Sequence, residues 1–126
     1  MAARIPLALV ILAVTLFCGC GPDTIFLRPA LDTPTQHVQN GYNFLSIGKI
    51  DAASNEFDRA KSLDDRYSPA YVGIGLVQGH RGDFKNGFES MAHARELAAN
   101  ADEIAKADDG YKTLETMLKK SENMSQ

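Results

Sequence analysis

Two adjacent stretches carry the reading of this chain: Pro34 to Tyr67, PTQHVQNGYNFLSIGKIDAASNEFDRAKSLDDRY, and Ser68 to Ala101, SPAYVGIGLVQGHRGDFKNGFESMAHARELAANA. Advancing the first by 34 residues lays it on the second. The small residues then coincide: Gly41 with Gly75, Gly48 with Gly82, Ala53 with Gly87, Ala60 with Ala94. The apolar residues follow: Val38 with Val72, Tyr42 with Leu76, Ile50 with Phe84, Phe57 with Met91, Leu63 with Leu97. A period of about 34 residues belongs to helix-turn-helix repeats.

Within each copy the residues place the helices. Thr33 is a candidate N-cap, Pro34 suits the first helical position, and Gln36 completes a capping box. The first helix should stop at Gly48. The second, from about Ile50, carries Ala53, Phe57, Ala60 and Leu63 at spacings of three and four, one apolar stripe. In the second copy Ser68 is the expected cap with Pro69 behind it, the first helix reaches Gln78, and Asp83 caps the next. Small residues along the stripe let paired helices approach until large residues interlock. Residues 102–120 break the 34-residue offset, since Asp109 and Thr116 fall where glycines would be. Ile104, Ala107, Tyr111, Leu114 and Leu118 still form a helical stripe, with Asp108–Lys112 and Glu115–Lys119 as polar supports. A terminal helix with a polar outer face is what a stacked-repeat protein needs for solubility.

The residues Gly41, Gly48, Ala53, Phe57 and Ala60, then Tyr71, Gly75, Gly82, Phe84, Gly87 and Ala94, resemble the tetratricopeptide repeat over residues 34–101. The expected fold is therefore all-α: two such repeats (34–67 and 68–101) and a capping helix (102–120) in a domain spanning 33–120, followed by a disordered tail at 121–126. Two repeats are fewer than the roughly three usually needed, so modest stability is expected. Interior glycines weaken helices by roughly 0.5–1 kcal/mol each against alanine. Gly73 and Gly79 have no evident need to be glycine, and Gly110 should cost about 1 kcal/mol. Gly73→Ala is accordingly expected to raise the melting temperature.

The amino terminus reads as an address. One charge, Arg4, precedes an apolar run from Leu7 to Phe17. That run is shorter than the roughly 20 residues a membrane span requires and has the form of a secretory signal. Leu16-Phe17-Cys18-Gly19-Cys20 resembles a bacterial lipobox. The resemblance implies a signal peptide at 1–19, acylation of Cys20 and stable lipid anchoring. The same residues also suit an ordinary signal peptide cut nearby. Gly21, where an inner-membrane lipoprotein commonly has aspartate, favours the periplasmic face of the outer membrane over the inner one. Residues 20–32, with Pro22 and Pro29, read as a tether of at most about 35–40 Å. Ile25-Phe26-Leu27 is its apolar exception, suited to packing on the first helix, to the lipid interface or to a partner.

Composition narrows the function. With 13 Lys and Arg against 16 Asp and Glu, the chain has no basic cluster to replace counterions on phosphates, so nucleic acid is not an expected partner. Cys18 and Cys20 are too close together to staple a fold and too few for a zinc site. His37, His80 and His93 stand singly, without a nucleophile-base-acid pattern around them. Catalytic residues, metal and cofactors are thus all expected to be absent. What the repeat resemblance implies instead is a concave face, here Val38, Tyr42, Leu45, Val72, Leu76 and His80. Being apolar and aromatic, it suits an amphipathic helix or an apolar peptide. An equal alternative is that the carboxy-terminal helix or Ile25-Phe26-Leu27 fills it. The expected function is a lipid-anchored protein-binding adaptor in an envelope complex of the pilus, secretion or outer-membrane kind. The rival is a structural lipoprotein that self-associates as a homodimer.

Overall fold

A computed structural model of the chain describes residues 32–126. The expected signal peptide, Cys20 and Ile25-Phe26-Leu27 lie outside the described residues. Those described are all-helical, in five helices: α1 (Pro34–Ser46), α2 (Ile50–Leu63), α3 (Ser68–His80), α4 (Phe84–Leu97) and α5 (Ala101–Met124). The bounds of α1 and α2 return in α3 and α4 at an offset of 34 residues. Helix α5 begins one residue before the expected 102 and runs on to Met124, through positions where a tail was expected.

Local chemistry sets these bounds. Thr33 Oγ accepts the Gln36 amide at 3.2 Å, capping α1. Gln36 does not reciprocate as a capping box; its side chain donates to Asn40 Oδ1 at 3.0 Å. Asp83 and Asn100 cap α4 and α5 by accepting from the Asn86 and Glu103 amides. Helices α1 and α3 end alike. Gly48 donates to Leu45 and Lys49 to Phe44, while Gly82 donates to Gly79 and Asp83 to Gln78, at 2.9–3.0 Å. This Schellman arrangement needs a left-handed residue, supplied by Gly48 (φ 72°) and Gly82 (φ 80°). Ser68 is the one cap that the structure reassigns. It is the first residue of α3 with Tyr67 as N-cap, and its buried hydroxyl donates to the Ala94 carbonyl at 2.7 Å. The Ala98 amide, which would continue the α4 ladder to Ala94, turns to Arg95 instead. Ser68 therefore satisfies an orphan carbonyl at the end of α4.

Short turns fold each helix back on its predecessor, and α1, α3 and α5 also pack in sequence, giving one row of three helices against a row of two. Two cores result. Val38, Ala53, Phe57, Ala60, Ala70 and Val77 form the first; Val72, Met91, Ala94, Ala107 and Leu114 form the second. In each, a large side chain enters a slot made by glycines on two neighbouring helices. A Cβ on Gly41 would come within 2.5 Å of the Phe57 ring, and one on Gly73 would collide with the same ring from the α3 side. Met91 lies likewise between Gly75 and Gly110, whose Cβ would stand 2.9 Å from Met91 Cε and 2.5 Å from Met91 Sδ respectively. Leu114 packs against Gly79 and Gly87.

These slots overturn the expectation that Gly73 and Gly79 have no need to be glycine, and they give Gly110 a reason for its propensity cost. Each lies where a side chain would displace a buried Phe, Leu or Met. Gly110 serves α5 as Gly73 serves α3, 37 residues apart rather than 34. The shift of three residues is close to one helical turn. Helix α5 thus takes the place of a third row helix while evading a fixed-offset comparison.

Polar supports on α5 also differ from the expected pairs. Lys112 Nζ meets Asp109 at 3.0 Å, while Asp108 reaches across to Arg95 Nε at 3.2 Å, tying α5 to α4. Lys106 pairs with Asp102 at 2.6 Å.

Candidate functional site

Where the amino-terminal ends of α1 and α3 meet the first part of α5, a cleft of about 260 Å³ opens. Val38 and Val72, equivalent positions of the two copies, are buried along it, and Tyr42, Tyr67, Pro69 and Lys106 line it further, with Thr35 and Gln39 at its polar margin. Tyr42 is held by an edge-on contact with Phe57, centroids 5.4 Å apart. Its burial, with Tyr67 nearby, pushes the phenol pKa up, so the group remains a neutral hydroxyl. Tyr67 Oη lies 3.1 Å from Thr35 Oγ1, fixing the other wall. Lys106 is held by Asp102, whose hydrogen bond raises the ammonium pKa and keeps it charged. The cleft therefore offers apolar and aromatic walls, hydroxyls and one paired ammonium. It is suited to receive an apolar side chain rather than to move a proton.

Of the six concave-face residues, the structure brings Val38, Tyr42 and Val72 together at this cleft. Leu45 packs on the first core and Leu76 on the second. His80, the last residue of α3, is exposed. The second core contains Val72 from α3 with Ala107 and Leu114 from α5, so the carboxy-terminal helix occupies part of the concave face. Thr35, Gln39, Tyr67, Pro69 and Lys106 were missed. Thr35 and Pro69 were read only as residues of helix starts, Tyr67 only as the end of the first copy, and Lys106 comes from the helix that breaks the 34-residue offset.

A second hollow, open to solvent and roughly 580 Å³, lies between α4 and α5. The Arg95–Asp108 pair crosses it, and Ile104, 37% exposed, and Tyr111 give it an apolar margin.

At the start of the domain, His37 lies between two carboxylates. Its Nδ1 is 2.7 Å from Glu56 Oε2 and its Nε2 is 2.8 Å from Asp32 Oδ1. Arg59 Nε donates to Asp32 at 3.1 Å, and Asn40 donates to Glu56 at 3.2 Å. Burial by itself would lower the imidazole pKa. The hydrogen bonds that the imidazolium donates to Asp32 and Glu56 outweigh it, and the net shift is upward. Arg59 first and His37 second hold the Asp32 carboxyl down at about 2. Among the described residues no three His, Cys, Asp or Glu side chains are grouped to hold a metal, and no helix is long and apolar enough to cross a membrane. Comparison with protein-family models, with curated proteins and with solved structures gives no match in any of the three.

Proposed function

We propose that the chain is a lipid-anchored adaptor of the bacterial envelope, built on two tetratricopeptide-type repeats and a capping helix. In this reading the cleft at Val38, Tyr42 and Val72 receives an apolar side chain of a protein partner presented on an extended peptide or an amphipathic helix. The cleft carries the reading: it is an apolar, aromatic depression at equivalent positions of two successive repeats, with its walls fixed by Phe57 and Thr35. The 34-residue recurrence of helix bounds supports the repeat assignment. The lipobox-like Leu16 to Cys20 supports the anchor, on the periplasmic face of the outer membrane. Assistance to assembly of a pilus, secretion or outer-membrane machine is an analogy of architecture.

The test has two arms. Labelled palmitate should enter the full chain in a bacterial host and be lost in Cys20→Ser; equal labelling of both would remove the anchor. A chain starting at Gly21 should scatter light as a monomer at all concentrations. It should capture an envelope partner that Tyr42→Ala loses while its melting curve stays cooperative. A concentration-independent dimer would favour self-association instead, a second reading that draws on the exposed Ile104 and on Tyr111 at the open α4–α5 hollow.

A further inference from the structure

We propose that His37 is a pH-sensitive catch, fastening the incoming chain at Asp32 to the α1–α2 hairpin when protonated and slackening it when neutral. The geometry carries this. A neutral imidazole has one N–H, and its other nitrogen is an acceptor. Here each ring nitrogen faces a carboxylate oxygen within 2.8 Å, Glu56 on one side and Asp32 on the other. Only the imidazolium, with two N–H groups, serves both. Loss of one proton sets a nitrogen lone pair against a carboxylate lone pair, and one of the two contacts must open.

The surrounding groups decide which contact opens. Arg59 of α2 already donates to both oxygens of Asp32, whereas Glu56 keeps only the neutral Asn40 donor, so the remaining imidazole proton stays toward Glu56 and the contact to Asp32 is the one that opens. Once the imidazole is neutral, Asp32 is tied to α2 through Arg59 alone and no longer to α1. Helix α3 has no Asp, Glu, Lys or Arg, and its His80 lies at the far end. Tyr67, leading into α3, is engaged with Thr35. Lys106 of α5 sits across the cleft, on the other side of α1, paired with Asp102. The ring therefore answers to Asp32, Glu56 and Arg59.

Asp32 directly precedes the α1 cap, Thr33, whose carbonyl accepts the His37 amide at 3.1 Å and whose hydroxyl accepts the Gln36 amide. Slackening at Asp32 thus reaches the first turn of α1. The consequence is that pH sets how stiffly the domain is held to the chain that precedes it, whether or not the cleft binds a partner.

Both cores lie within α1–α5, so the test uses the chain from Gly21 onward. Imidazole resonances are followed by NMR against pH in the folded chain and in the same chain unfolded by urea, and amide exchange is measured at Gln36 and His37 after correction for intrinsic rates. His37 should titrate higher in the folded chain than in the unfolded one. Protection of the two amides should fall about two- to fivefold through that titration, the scale of a partly exposed charged contact. Glu56→Gln and Asp32→Asn should each bring the His37 titration down, and His37→Gln should abolish the pH response. A His37 that titrates no higher folded than unfolded overturns the catch. So does a pH response at Gln36 that survives in His37→Gln.

Discussion

Gly73→Ala is the perturbation on which helix propensity and packing disagree in sign. Alanine should gain roughly 0.5–1 kcal/mol in an unconstrained helix interior. At Gly73, however, the new methyl would collide with three atoms of the Phe57 ring. That ring is fully buried, and retreat is blocked by Gly41, whose own Cβ position is 2.5 Å from it. A rigid ring closed in on both faces can yield only if α1 or α3 moves. Overpacking of this kind costs typically 1–3 kcal/mol. Setting the propensity gain against it leaves a net loss of about 1–2 kcal/mol, or a fall in melting temperature of about 5–15 °C for a domain near 100 residues. Thermal unfolding followed by far-UV circular dichroism measures it. Phe57→Leu supplies the control: with the ring gone the methyl has room, so Gly73→Ala should become nearly neutral there, a coupling of about 1–2 kcal/mol. A raised melting temperature, or the same cost in both backgrounds, would refute the slot.

Gly110→Ala meets the thioether of Met91 rather than a ring. Because that side chain can swing aside, the variant should lose less stability than Gly73→Ala in the same melting experiment. Ser68→Ala removes the hydroxyl that satisfies the Ala94 carbonyl. Chemical denaturation should show a loss of about 1–2 kcal/mol, and Ser68→Thr, which keeps the donor, should retain more stability than Ser68→Val. The Asp32–His37–Glu56 cluster gives stability a pH profile. The His37 pKa is raised above 6.5 in the folded state, so its contribution is full below pH 6.5 and is lost as pH rises through the folded value. Asp32 is lowered from 3.8 to about 2, so its contribution is full above pH 3.8 and is lost as pH falls toward 2. The stability difference between wild type and His37→Gln should therefore be greatest between about pH 4 and 6.5, as read from melting curves across that range; a difference that grows above neutral pH would contradict the sign.

The sequence by itself determined the all-helical class, the starts of α1 to α4 to within a residue, the stop of α1 at Gly48, and the buried stripe through Phe57, Ala60, Met91 and Ala94; α3 runs two residues past the expected Gln78. Those features are local. A proline at a first turn, a capping hydroxyl, a glycine at the left-handed position after α1, and a spacing of three and four all act within one turn or one helix face. Tertiary structure alone decided why Gly73, Gly79 and Gly110 are glycine, because the groups that exclude a side chain there are Phe57, Leu114 and Met91 from other helices. The same holds for Ser68, whose partner lies 26 residues away, and for His37, whose two carboxylates come from different segments. It holds too for the division of the concave face, where Val38, Tyr42 and Val72 line the cleft while Leu45 and Leu76 pack inward. Periodicity fixes which face of a helix turns inward; which atom waits there depends on the register between helices, and a shift of one turn in α5 was enough to hide it.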